Sequence, residues 1–193
     1  MVVTGDIADS GAANEQRRAT EPLDPPFPVS GCPDNQNDRA SYRESLFGEP
    51  GTTMPINRAH RAGGTLFVLC DSTIPGRADG LLDDDTLDWL EHTLRQAPPK
   101  QPVPLGPHHP LVKPHKPYVD GIGQHRGERL AELVERFPAV AAVPRGHAQT
   151  ATTTFAGKPL VVTPGLASGL KLPGTMKGCW TSGHTTRTGV PRA

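Results

Sequence analysis

RGHAQTATTTFAG, residues Arg145 to Gly157, follows an apolar run, Val140 to Val143, that predicts a buried strand. Gly146 lets the backbone turn sharply at the strand's end and leaves the His147 imidazole projecting there. Gln149 points the same way two residues later, and Thr152 to Phe155 starts a second β-type run. A histidine at a glycine-marked strand end suits a metal ligand, because the scaffold fixes the ring while the loop leaves room for substrate. Taken alone, the same residue also reads as a satisfied loop histidine.

Working outward toward the C-terminus, Ala156-Gly157-Lys158 predicts a hairpin turn and Pro159 to Thr163 a strand pairing back. Gly165 to Leu172 adds one further strand. Beyond Pro173 the text is polar, Gly/Thr-rich and aperiodic, which predicts a disordered tail over 173–193. Before the opening stretch, Leu130, Leu133, Val134 and Phe137 form the i, i+3, i+4, i+7 stripe of a core-facing helix that Pro138 ends. Thr65 to Asp71 is the clearest buried strand. A helix over Asp83 to Ala97 opens on an acidic first turn and presents Leu87, Leu90 and Leu94 on one face. Arg39 to Phe47 predicts a helix and Gly48 to Gly64 a loop. Gln101 to Pro107 is expected to be an edge-like or broken strand, since Pro102, Pro104 and Pro107 each remove a ladder donor. His115 and His125 read as surface residues.

The 193 residues fit one α/β domain, and 21 glycines with 22 prolines predict a loop-rich one. A formal charge of zero gives no electrostatic case for nucleic acid or a membrane surface. Cys32, Cys70 and Cys179 are an odd set without metal-type spacing, which fits a cytoplasmic chain better than a disulfide framework.

Asp6 follows Val2-Val3-Thr4-Gly5, where a strand's carboxyl end opens onto a site, although it also reads as the N-cap of a following helix. Asn35 and Asn37 are open to the same double reading, as ligands or as ordinary turn residues. The order VTGDIADSG (Val3 to Gly11), DNQND (Asp34 to Asp38), PHHP (Pro107 to Pro110) and GHAQ (Gly146 to Gln149) resembles the calcineurin-like metallophosphoesterases. Within them it is most similar to the bacterial cyclic-nucleotide phosphodiesterases and glycerophosphodiesterases. The likeness covers roughly Val2 to Leu172 and extends to DSTIPG (Asp71 to Gly76) and LDDDTLDWLEHTL (Leu82 to Leu94).

The resemblance implies a four-layer α/β sandwich, two mixed β-sheets flanked by helices, over residues 1–172. An Asp-x-His strand and its helix are expected upstream of Asp6, so the chain reads as truncated there. In this family two metals activate water for attack on phosphorus, and a histidine assists the leaving oxygen. Carried over, Asp6, Asn35, His108 and His147 match the ligands of the second metal, and His109 is left for substrate. Gln149 stands at a histidine ligand of the first metal, and Gln36 at the catalytic histidine. The implied cofactor is one divalent ion at most (Mn, Fe or Zn), and the implied partner is a small phosphodiester. Because a glutamine amide is a weak ligand and relays no proton near neutrality, the expected chain is a weakly active or inactive hydrolase. The alternative is a catalytically dead fragment or a metal-dependent binding pseudoenzyme.

Overall fold

The computed structural model describes residues 2–6, 14–15, 18, 30–31, 39–113, 115, 117–147, 152–162, 168–170 and 180–182. The apolar run Thr65–Cys70 forms β4, whose Leu66, Val68, Leu69 and Cys70 are buried. It lies second in a six-stranded mixed sheet of order β3-β4-β6-β8-β10-β9. The other members are β3 (Arg58–Ala62), β6 (Val103–Pro107), β8 (Val140–Arg145), β9 (Thr152–Phe155) and β10 (Lys158–Val162). Strands β4, β6, β8 and β10 run parallel, so their carboxyl ends open on one edge of the sheet. The hairpin β9–β10 is antiparallel and turns at Ala156-Gly157, as its sequence predicts.

Two expectations are corrected. β3 occupies the end of the stretch read as a loop over Gly48 to Gly64, pairing antiparallel with β4 through a Gly63-Gly64 turn. Both turn residues have positive φ, 54° and 77°, as a two-residue hairpin loop demands. Its RAHRA sequence carries no apolar alternation because it is an outer strand, exposed at three of five positions. The second correction concerns β6, which is interior, lying between β4 and β8. Its register with β8 shifts between Val103 and Pro104, which absorbs the missing donor. On either side of that shift, the Val103 N–H donates to the Ala139 carbonyl at 2.8 Å and Leu105 sits opposite Val68. Val103 and Leu105 are fully buried, and that burial holds a proline-rich strand in the middle of the sheet.

Two helices cover β4, β6 and β8. In Arg39–Tyr42 (α1), which continues as a π-type turn through Arg43–Phe47, only Tyr42 is buried. In Asp84–Gln96 (α2), the Asp83 side chain caps the first turn by accepting from the Thr86 N–H at 2.8 Å. Beyond the short turn Pro117–Asp120 (α3) comes Gly127–Arg136 (α4). Leu87, Leu90 and Leu94 of α2 meet Leu130, Leu133 and Val134 of α4 in one core with the sheet's inner face. Small parallel pairs join β1 (Val2–Val3) to β2 (Ser30–Gly31) and β5 (Gly80–Leu81) to β7 (Gln124–His125). Ser168–Leu170 (β11) pairs antiparallel with Trp180–Ser182 (β12), and the remainder of 173–193 lies outside the described residues. Among the described residues no helix is long and apolar enough to cross a membrane.

Just past β4, the Asp71 carboxylate is 1% exposed and accepts four hydrogen bonds. Oδ2 takes Arg39 Nε and the Ile56 N–H, both at 2.8 Å. Oδ1 takes the Thr73 N–H at 2.8 Å and the Thr73 hydroxyl at 2.6 Å. The guanidinium of Arg39 reaches on to the carbonyls of Thr53 and Thr73. Removing one partner of a buried pair strands the other charge, at a cost of about 3 kcal/mol or more. Asp71→Asn should therefore lower the unfolding free energy by about 3 kcal/mol in urea titrations. Asp88→Asn, which breaks only an exposed pair with Arg129, should leave the urea midpoint unchanged.

Candidate metal centre

At the carboxyl ends of β6 and β8, His108 is fully buried and His147 is 8% exposed. His108 Nδ1 lies 2.6 Å from the Thr4 carbonyl oxygen, which only accepts, so the proton sits on Nδ1 and Nε2 carries a lone pair turned toward His147. That Nε2 is 3.0 Å from His147 Nδ1 and 3.6 Å from Asp6 Oδ1. Ligand atoms of Asp6, His108 and His147 all lie within 4.8 Å of one another. Two nitrogens bonded at roughly 2.1 Å to one ion, at right angles, would stand about 3.0 Å apart. The 3.0 Å contact is a hydrogen bond between the two rings, and the same spacing is compatible with neighbouring ligands on one metal. One carboxylate and two imidazoles form an N/O donor set suited to Mn, Fe or Zn. These residues fit a divalent ion, and the partly exposed Asp6 leaves the group open on one side.

The backbone is shaped to hold this arrangement. Asp6 and His147 both adopt left-handed conformations, φ 56° and 62°, unusual outside glycine and typical of strain kept at functional sites. The two are joined, since the His147 N–H donates to Asp6 Oδ2 at 3.0 Å. Gly5, at φ 107°, lies against the His108 ring so closely that any Cβ would overlap Nδ1 and Cε1. Gly146 likewise presses on Thr4, with a Cβ only 2.8 Å from its carbonyl oxygen.

His109 is also fully buried, its ring centroid 5.1 Å from that of His108 and 5.2 Å from that of His147. The Ser72 hydroxyl oxygen accepts the backbone N–H groups of His108 and His109 at 3.3 and 3.4 Å. Its single proton therefore goes to His109 Nδ1 at 2.8 Å, which leaves the His109 proton on Nε2. That Nε2 has no hydrogen-bond partner among the described residues. Arg145, 1% exposed, donates to the His109 carbonyl at 2.7 Å and is pushed down to about 9 by burial. Burial, then the neighbouring His108, pushes His109 down to about 2 and His147 down to about 4.

Asn35, Gln36 and Gln149 lie outside the described residues. His115 is exposed, and His125 is exposed with its Nε2 on Asp79 Oδ2 at 2.6 Å. Thr4, Ser72 and Arg145 support the site without having been assigned a role from sequence. Ser72 stands in the DSTIPG segment, which carried no chemistry of its own, and a main-chain carbonyl such as that of Thr4 leaves no mark in a sequence.

Two measurements check this geometry. Gly5→Ala should push the His108 ring aside and weaken Mn²⁺ binding, read by calorimetry, by about tenfold or more. Gly127→Ala, whose added methyl meets nothing, should bind as the unmodified chain does. For pH, the sign follows from His109 and His147 having folded values below the unfolded value of 6.5. Between those values the unfolded chain binds more protons, so stability is full above about pH 6.5 and falls as pH drops toward 4. Urea midpoints of chelator-treated protein should fall over that window, and less so in His147→Ala.

The chain is 34% identical over 161 residues to a glycerophosphodiester phosphodiesterase of Enterobacter lignolyticus, covering 80% of this chain and 57% of that protein. It is 32% identical over 168 residues to a probable cyclic nucleotide phosphodiesterase of Rhodococcus erythropolis, covering 84% of this chain and 55% of the relative. A cAMP/cGMP dual specificity phosphodiesterase of Mycobacterium tuberculosis is 28% identical over 168 residues, 84% of this chain and 52% of its own length. No family model matches the chain. It spans little more than half the length of these curated relatives. The mixed α/β architecture agrees with this similarity. On this similarity the chain belongs to the metallophosphoesterase superfamily, among the relatives of bacterial cyclic-nucleotide and glycerophosphodiester phosphodiesterases.

Proposed function

We propose that the chain holds one divalent ion with Asp6, His108 and His147 and uses it to bind a small phosphodiester, with turnover weak at best. The observation that carries this reading is the convergence of three ligand atoms within 4.8 Å, with the His108 lone pair turned inward by Thr4. When bound, the ion neutralises charge on a phosphoryl oxygen and lowers the pKa of water beside it. His147, pushed down to about 4 by burial, is neutral near pH 7 and sets no positive charge against an arriving cation. His109 carries its proton on Nε2, where no acceptor waits among the described residues, and offers it to a phosphoryl oxygen. Thr4, Ser72 and Arg145 hold these rings in place through the hydrogen bonds described above.

Two positions argue for slow chemistry. Gln36 stands where the family's proton-donating histidine is expected, and an amide moves no proton at neutral pH. Gln149 stands at a ligand position of the other metal, and its neutral amide competes poorly with imidazole. A positioned general acid is worth about 100- to 10,000-fold, so its replacement alone reduces turnover by that order.

Mn²⁺ titration together with hydrolysis of bis(p-nitrophenyl) phosphate and cyclic AMP tests the proposal. Mn²⁺ should bind the unmodified chain and bind at least tenfold more weakly to His147→Ala. Hydrolysis by the unmodified chain should stay within a few-fold of that variant. Rapid Mn²⁺-dependent turnover abolished by His147→Ala would replace the weak-turnover reading with a competent phosphodiesterase. Equal Mn²⁺ binding by both chains would remove the metal centre.

A further inference from the structure

His108 and His147 meet through one nitrogen of each ring, His108 Nε2 and His147 Nδ1, which stand 3.0 Å apart. A hydrogen bond there needs one proton between the two nitrogens, and the neighbours decide which ring supplies it. His108 keeps its proton on Nδ1, where the Thr4 carbonyl oxygen accepts it at 2.6 Å. A neutral imidazole has a single N–H, so His108 Nε2 is the acceptor and His147 Nδ1 the donor. His147 Nε2 is shielded from solvent without a hydrogen-bond partner among the described residues, whichever way the ring's proton is placed. The choice of tautomer is therefore made at Nδ1 alone. Moving the proton to Nε2 would set two lone pairs face to face at 3.0 Å.

That choice bears on the metal centre. Nδ1 is the His147 nitrogen beside the His108 lone pair, and a nitrogen that carries a proton has no lone pair for a cation. A half-turn of the ring, which would exchange its two nitrogens, is opposed by packing. The His147 ring stands with its centroid 5.0 Å from that of His108 and 5.2 Å from that of His109, and the residue is 8% exposed. Its main chain is held as well, by the N–H bond to Asp6 Oδ2 at 3.0 Å.

We infer that His147 is a tautomer switch: its Nδ1–H closes onto His108, and a divalent ion is admitted only when that proton moves to Nε2 of the same ring. The inference rests on the reading of Asp6, His108 and His147 as a metal centre. In the switch the Nδ1–H bond breaks and an Nε2–H bond forms, with water entering beside the partly exposed Asp6 to pass the proton. The ring stays neutral, its Nδ1 lone pair becomes available to the ion, and no proton is released overall. His108 keeps its Nδ1–H on Thr4 throughout, so only one of the two rings changes.

Long-range ¹H–¹⁵N spectra of the histidine-labelled full chain show which nitrogen of each ring carries the proton. They are recorded at about pH 8, above the ordinary histidine range, on chelator-treated chain and again after addition of Zn²⁺. Single substitutions His108→Ala, His109→Ala and His147→Ala assign the signals. Before Zn²⁺, the Nδ1–H form of His147 should exceed the Nε2–H form by about tenfold or more. With Zn²⁺ the Nε2–H form should replace it, while His108 remains Nδ1–H in both spectra. In His108→Ala, which removes the acceptor, His147 should lose its Nδ1–H excess before any Zn²⁺ is added. Should that variant not fold, the two spectra of the unmodified chain decide. A His147 already on Nε2–H before Zn²⁺, or still on Nδ1–H after Zn²⁺ has shifted the His108 signals, would overturn the switch and leave the metal centre standing. No response of either ring to Zn²⁺ would remove the metal centre and the switch with it.

Discussion

The buried carboxylate of Asp71 is the constraint from which the active edge of the sheet takes its shape. A charge placed at 1% exposure must be surrounded by donors, and Asp71 gathers them from three parts of the chain. Arg39 brings α1, Ile56 brings the approach to β3, and Thr73 brings the segment after β4. The Asp71 N–H in turn reaches Asn57 Oδ1 at 2.9 Å. Held between Asp71 and Thr73, the Ser72 hydroxyl stands where it receives the two amides of His108 and His109. The backbone of His108 and His109 is therefore tied, through a single serine, to the salt bridge at the end of β4.

That tie explains which parts were legible in the sequence. β4, α2 and α4 announce themselves through apolar periodicity, because each buries one face in the same core. β3 did not, because an outer strand needs no apolar face. The interior place of β6 is hidden as well, because its prolines mark lost donors while the burial of Val103 and Leu105 that offsets them leaves no periodic signal. At the site, Asp6, His108 and His147 are far apart in sequence with no shared spacing, and only the likeness to a family gathered them into one reading. Their supports were illegible for a different reason. A carbonyl from Thr4 and a hydroxyl receiving two backbone amides depend on chain path, and many sequences could supply either.

The centre also shows how polar groups are kept ready in a dry setting. Three imidazoles and the Arg145 guanidinium crowd the ends of β6 and β8, all less than a tenth exposed. Burial holds His109 and His147 neutral, so the rings present lone pairs and N–H groups rather than charges. The arrangement gives up stability in acid for rings that carry no positive charge when a cation arrives.

The left-handed backbone at Asp6 and His147 has an evolutionary reading as well. Outside glycine, the residues that tolerate such a conformation best are asparagine, aspartate and histidine. These are also the side chains that offer oxygen or nitrogen to a hard or borderline cation. Neutral drift at either position is thus channelled by main-chain strain toward residues that still coordinate. His108 is outside that filter, since its backbone is not left-handed. A lineage losing selection for catalysis would be expected to lose its coordinating side chain there first, while the other two positions kept a memory of the metal in their torsion angles.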